Sequence, residues 1–209
     1  ENLASASFIE EKVFSLVCQI ESQYSRNSYP AVFDSLALIQ KAQTESVRQD
    51  MPEILSYEKV LPLSFFKGGT SVLADAYLVN GNLNQKEMQF AFAYGAFLQL
   101  LDDFQDTEAD KKGNHQTLFS ISNDKETIGN EVRRLISYIF SVNAADESDT
   151  PIMSLMKEVI SSCTLKMVMD AAGRNSNLIP QKLYKELETR SSIRLPFYKE
   201  FEEICRGNL

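Results

Sequence analysis

Apolar side chains recur along the chain at three- and four-residue intervals, the spacing that gathers them on one face of an α-helix. In "SASFIEEKVFSLVCQIESQYS", Phe8, Val13, Phe14, Val17 and Ile20 keep this period, and Ser7 stands three residues before Glu10 as in a capping box. That predicts an amphipathic helix opening at Ser7. A second is expected from about Ala31 to Asp50, with Phe33, Leu36, Leu38 and Ile39 apolar, before Pro52 breaks the chain. A third runs from about Glu53 to Leu78 and contains Pro62 and the pair Gly68 and Gly69, so a kink or division is expected there. "NGN" at 80–82 reads as a turn, and a fourth helix spans about Asn84 to Thr107, ended by "KKGNHQ".

Asn123 with Glu126 has capping-box spacing for a helix through about Val142. After the polar loop "NAADESDTP", Thr150 and Pro151 form a favoured N-cap and first-turn pair, and "GRNSNLIP" closes the helix they open. Pro180 begins a short helix towards Arg190, and the last occupies about Pro196 to Cys205. There is no alternating pattern of strand length, no repeat and no low-complexity linker. The expected fold is all-α, a single bundle of long helices over residues 1–209.

The fourth helix carries the chemistry. From Met88 to Leu101 it reads "MQFAFAYGAFLQLL", apolar nearly all round, as in a helix buried on every side. Five carboxylates then fall in the nine positions from Asp102 to Asp110. On a helical wheel Phe90, Tyr94, Phe97, Leu101 and Phe104 share one face, while Gln99, Asp102, Asp103, Asp106 and Asp110 occupy a narrow sector of another. Continued backwards, that sector passes over Ala91, Phe92 and Gly95, so the acids are expected at the rim of a pocket. Like charges three and four residues apart destabilise a helix, and the macrodipole disfavours anions near its C-terminus. A magnesium ion, held by one or two carboxylates with water and phosphate oxygens, would compensate. A solvated acidic face partly neutralised by Lys111 and Lys112 is the plain alternative.

Composition narrows the setting. The 209 residues are 44% apolar and 24% charged, with a formal net charge of -8, which opposes general affinity for nucleic acid or anionic membrane. Cys18, Cys163 and Cys205 are too widely spaced for a disulfide framework or a metal site, which fits a reducing, cytoplasmic setting. No apolar run reaches the length of a membrane span, and no leader pattern is present. His115 is the single histidine and has no Cys or His partner in sequence. Arg48 is expected to pair within its own helix, with Glu45 as a partner. Thirteen Phe and six Met suit a prenyl cavity and equally an ordinary core.

The stretch "KGGTSVLADAYLVNGNLNQKEMQFAFAYGAFLQLLDDFQDTEADKKGNHQTL" resembles the C-terminal half of the trans-isoprenyl diphosphate synthases, the polyprenyl synthetase family of class I isoprenoid enzymes. The family places a lysine-threonine pair in a kinked helix, then a helix with Phe-Gln, two residues and an Asp-Asp-x-x-Asp motif. The resemblance implies a class I isoprenoid synthase bundle whose cavity mouth holds magnesium between two aspartate-rich motifs. It implies Asp102, Asp103 and Asp106 as Mg2+ ligands, Lys67 and Thr70 as diphosphate contacts, and Gln99 near the reacting end of the substrate. Gln43, in the helix comparable to a glutamine-containing element, and His115, where a lysine is expected, are further substrate-binding candidates. The implied partners are an allylic prenyl diphosphate and isopentenyl diphosphate, and a homodimer is expected. The implied reaction is a prenyl transfer: the carbon–oxygen bond to diphosphate ionises and isopentenyl diphosphate attacks the allylic cation, whereas in a cyclase an internal double bond attacks.

Three departures accompany the match. The first aspartate-rich motif is absent from residues 1–66, so the chain would correspond to the C-terminal two-thirds of such a fold or to a degenerate member. The lysine-threonine pair is spread over "KGGT", and "GNHQTL" puts His115 and Gln116 at the basic element. The competing expectation is therefore a non-catalytic helical protein that binds a prenyl lipid or serves as a subunit of a heteromeric synthase.

Overall fold

The computed structural model describes residues 3–146 and 149–207. Nine α-helices account for most of them: α1 (Leu3–Gln23), α2 (Pro30–Ser46), α3 (Tyr57–Asn80), α4 (Gln85–Gln105), α5 (Thr107–Gly113), α6 (Lys125–Val142), α7 (Pro151–Arg174), α8 (Gln181–Arg190) and α9 (Pro196–Gly207). A 3-10 turn, Val47–Asp50, extends α2, and no strand occurs among the described residues. The all-α class read from the periodicity is present. None of the described helices is long and apolar enough to cross a membrane.

α4 is the axis of the bundle. Phe97, Leu100, Leu101 and Phe104 bury against Ile128, Val132, Leu135 and Ile139 of α6, Val168, Met169, Ala171 and Ala172 of α7, and Leu183 and Leu187 of α8. Two smaller clusters flank this core. Tyr24, Val32 and Tyr77 join the end of α1 to α2 and α3, and the Tyr24 hydroxyl donates to the Leu78 carbonyl at 2.9 Å. Leu55, Val60 and Leu63 pack with Ile121 under the connection between the 3-10 turn and α3.

Several helix ends differ from expectation. α1 is already helical at Leu3, so Ser7 lies within it rather than before it. α6 is capped by Asp124, whose carboxylate accepts from the Thr127 amide at 2.8 Å and its hydroxyl at 2.6 Å, so the expected pairing of Asn123 with Glu126 is not the cap. A carboxylate that takes two donors from one residue outcompetes an amide one position earlier. Thr150 does cap α7, accepting from the Met153 amide at 3.2 Å with Pro151 in the first turn. Glu147 and Ser148, within the polar loop before it, lie outside the described residues. Glu45 pairs with Lys41, at 3.8 Å, rather than with Arg48.

α3 starts later than expected and is not divided. It begins at Tyr57 and runs undivided through Pro62, Gly68 and Gly69 to Asn80. Pro62 is tolerated because the acceptor its missing N–H would have used, the Glu58 carbonyl, lies in the exposed first turn, where water can replace the donor. The glycines do not break the helix because they serve its packing. A Cβ on Gly68 would collide with the Gly95 carbonyl and the Gln99 Cβ, and one on Gly69 would lie 2.6 Å from the Phe92 ring. Their lack of a side chain lets α3 and α4 touch along their backbones.

Candidate functional site

The close crossing fixes what faces what. Gly68 lies against Gly95, so Ser64, one turn earlier on α3, meets the next turns of α4. The Ser64 hydroxyl donates to Asp103 Oδ2 at 2.7 Å, and Gln99 Nε2 donates to Asp103 Oδ1 at 2.8 Å. Asp103 is 3% exposed, with both oxygens engaged. Burial pushes its carboxyl up to about 6, against the pull of the Gln99 and Ser64 hydrogen bonds and of the Lys67 charge.

Asp102 and Asp106 face the other way and are exposed. Asp106 ends α4 and precedes α5, with φ -94° and ψ 7°, and its side chain caps neither helix. The backbone bonds Asp106 N–H to Asp102 carbonyl (2.9 Å) and Asp110 N–H to Asp106 carbonyl (2.8 Å) carry the helical register across this break. Asp102, Asp106 and Asp110 therefore stay in one line. Partial burial raises the Asp102 carboxyl, the Asp106 charge raises it further, and Lys67 lowers it. Asp110 is raised first by burial, with His115 and the Thr117 hydroxyl acting against it.

Of the expected grouping, Gln99 is hydrogen-bonded to Asp103, and the Lys67 charge lowers the Asp102 and Asp103 carboxyls. The other candidates are elsewhere. The buried Thr70 hydroxyl folds back onto its own helix, donating to the Phe66 carbonyl at 2.7 Å. Gln43 is exposed on α2. His115 lies after α5, its Nδ1 2.6 Å from Asp50 Oδ1. The Lys111 ammonium donates to the Ser122 carbonyl at 2.9 Å.

Two participants escaped the sequence reading. Ser64 sits three residues before Lys67, and that shared helical face was the available signal. Gln116 was read only as standing at the basic element, and its clamping role had no signal because its partners are some sixty residues away: its Nε2 donates to the carbonyls of Met51 (3.0 Å) and Glu53 (2.8 Å), and its Oε1 accepts from the Leu55 amide (2.7 Å).

The donor set fits magnesium in a limited way. Among the described residues no group of three or more His, Cys, Asp or Glu side chains converges to hold a metal ion. Asp102 and Asp106, free of capping duties and four residues apart, match the mode in which one or two carboxylates hold a hydrated magnesium whose remaining ligands are water and phosphate. Asp103, as placed, spends both oxygens on Ser64 and Gln99. No protein-family model, no curated protein and no solved structure matches this chain.

Proposed function

We propose that the α3–α4 end is a magnesium-dependent prenyl-diphosphate site of the class I isoprenoid synthase kind, used in prenyl transfer to isopentenyl diphosphate. The observation that carries this reading is Asp102 and Asp106 exposed one turn apart at the end of α4, beside Asp103 hydrogen-bonded to Gln99 and Ser64. Asp102 and Asp106 would hold the ion, and magnesium would supply positive charge to the departing diphosphate. Lys67 would bind a diphosphate oxygen directly. Asp103 would orient Gln99 and keep Lys67 drawn towards the acids, as a positioning residue inside the helix pair. The test is magnesium-dependent release of diphosphate from geranyl or farnesyl diphosphate. Release that persists unchanged in the Asp102→Asn, Asp106→Asn double variant would refute the assignment.

A second reading is favoured by Asp103, whose two carboxylate oxygens are taken by Ser64 and Gln99. On this view the bundle binds a prenyl diphosphate without turning it over, alone or as a subunit of a larger synthase. Magnesium-dependent binding of farnesyl diphosphate without release of diphosphate would select it.

A further inference from the structure

α1 meets the bundle at its end, where Ile20 and the following Tyr24 pack with Tyr77, and its residues 8–16 are all exposed. Ile9, Val13, Leu16 and Ile20 succeed one another at steps of four, three and four, with Val17 beside them, in a sector of the helix that holds no polar side chain. Ile9, Val13 and Leu16 are each more than half exposed, as are Phe8 and Phe14 on the two edges of the sector. A helix with such a stripe gains its stability from burying it.

The first half of α7 stands outside the core in the same way. Its buried residues begin only at Thr164. Before them Ile152, Met156, Val159 and Cys163 repeat the steps of four, three and four, all exposed, and Leu155 widens the stripe. No charged residue falls on that line before Cys163. The repeated step pattern is the seam of paired helices, and each stripe is about 17 Å long. Both lie at the same end of the bundle: Tyr24 ties the end of α1 to the Leu78 carbonyl at the end of α3, and Lys86, in the first turn of α4, bridges at 3.1 Å to Asp146 ahead of α7.

Area decides what covers them. Each stripe leaves on the order of 500 Å2 of apolar surface in water, short of the roughly 800 Å2 per partner that a stable interface buries, whereas the two together exceed it. An anionic membrane surface is opposed by the net charge of -8. A second copy of the chain offers both stripes, matched in length and spacing. We propose that two copies pair about a two-fold axis, with α1 of each laid along the first half of α7 of the other. Because the contact is reciprocal it closes on itself and stops at two copies. The proposal rests on the two stripes and not on the diphosphate site.

Sedimentation velocity of the whole chain, without ligand, tests it. At about 50 μM the parent is expected to run at twice the chain mass. Val13→Glu on α1 and Met156→Lys on α7 should each weaken pairing about a hundredfold, since a charge is then buried in both copies of the contact. Both positions are exposed, so the core is untouched; Leu16→Glu and Val159→Lys carry the same expectation should either variant fold poorly. Ile54→Glu, at an exposed residue before α3, should change pairing less than about threefold. The specific readout is mixing. A dimer of one Val13→Glu chain with one Met156→Lys chain keeps one α1–α7 contact intact and gathers both substitutions, of opposite charge, in the other. The mixture should therefore recover the dimer that neither variant forms alone. A monomeric parent, a parent that sediments with phosphatidylcholine vesicles instead of pairing, a dimer indifferent to either variant, an equal loss in Ile54→Glu, or a mixture that stays monomeric would each overturn the proposal.

Discussion

Gly68 of α3 and Gly95 of α4 meet backbone to backbone: a Cβ built on either falls on the carbonyl oxygen of the other. Such a contact has no flexible side chain that could yield. Gly95→Ala is expected to destabilise the protein by about 3 kcal/mol, because overpacking outweighs the roughly 1 kcal/mol gained in helix propensity. Gly113→Ala, where an added Cβ meets nothing within 4 Å, should fall within about 0.5 kcal/mol of the parent. Urea unfolding of the two variants reads the difference. Equal midpoints would mean that the helices can part at no cost.

Asp103 makes stability depend on pH in a defined direction. Its folded carboxyl titrates near 6, above the ordinary aspartate value near 3.8, because burial disfavours the charge. The unfolded chain therefore loses this proton first as pH rises. The contribution is fully present below the unfolded value near 3.8 and is lost as pH climbs through 6, amounting to about 3 kcal/mol. Asp103→Asn, which cannot ionise, should flatten this part of the profile. Urea midpoints at pH 4.5, 6 and 7.5 check it, and parallel profiles for the two proteins would contradict the cause given.

The legible and illegible parts of the chain separate on physical grounds. Helical period is local, so the helices and the apolar character of α4 could be read from spacing. Cap choice between Asn123 and Asp124 depends on which side chain reaches a free amide, and spacing alone picked the wrong neighbour. Gly68 and Gly69 could be read as a kink or as a packing site, and spacing alone does not decide; the partner that decides for packing, Gly95 with Phe92, lies on the next helix. The Asp-Asp-x-x-Asp spacing placed three acids together but could not show that Asp103 turns inward to Ser64 while Asp102 and Asp106 turn out.

Gln116 holds the chain between the 3-10 turn and α3 through three side-chain hydrogen bonds. Gln116→Ala leaves the Leu55 amide and two carbonyls to find water, and should cost about 2 kcal/mol. Gln116→Glu should also destabilise, since a carboxylate cannot donate to the Met51 and Glu53 carbonyls. The more specific readout is limited proteolysis. Cleavage at residues 51–56 should accelerate in both variants before global unfolding, and protection equal to the parent would show that the clamp is dispensable.

Asp102 and Asp106 repel each other in the absence of a cation, and both sit where the α4 dipole disfavours negative charge. Each carboxylate therefore costs the free protein a few tenths of a kcal/mol, about 0.2 to 0.5 from the pair. Asp106→Asn should raise the melting temperature slightly in a buffer free of divalent ions. Added magnesium with inorganic diphosphate reverses the order: the parent gains about 2.7 kcal/mol at a hundredfold excess over the dissociation constant, and the Asp102→Asn, Asp106→Asn variant gains nothing. Sodium chloride at matched ionic strength controls for screening, which relieves the same repulsion without selecting a geometry. Glu108→Gln should keep the magnesium response, because the Glu108 carboxylate is occupied by the Asn177 amide at 2.6 Å. A parent protein that responds to magnesium no more than to sodium has a wet acidic helix end there, and the ordered repulsion along Asp102, Asp106 and Asp110 would then serve no ligand.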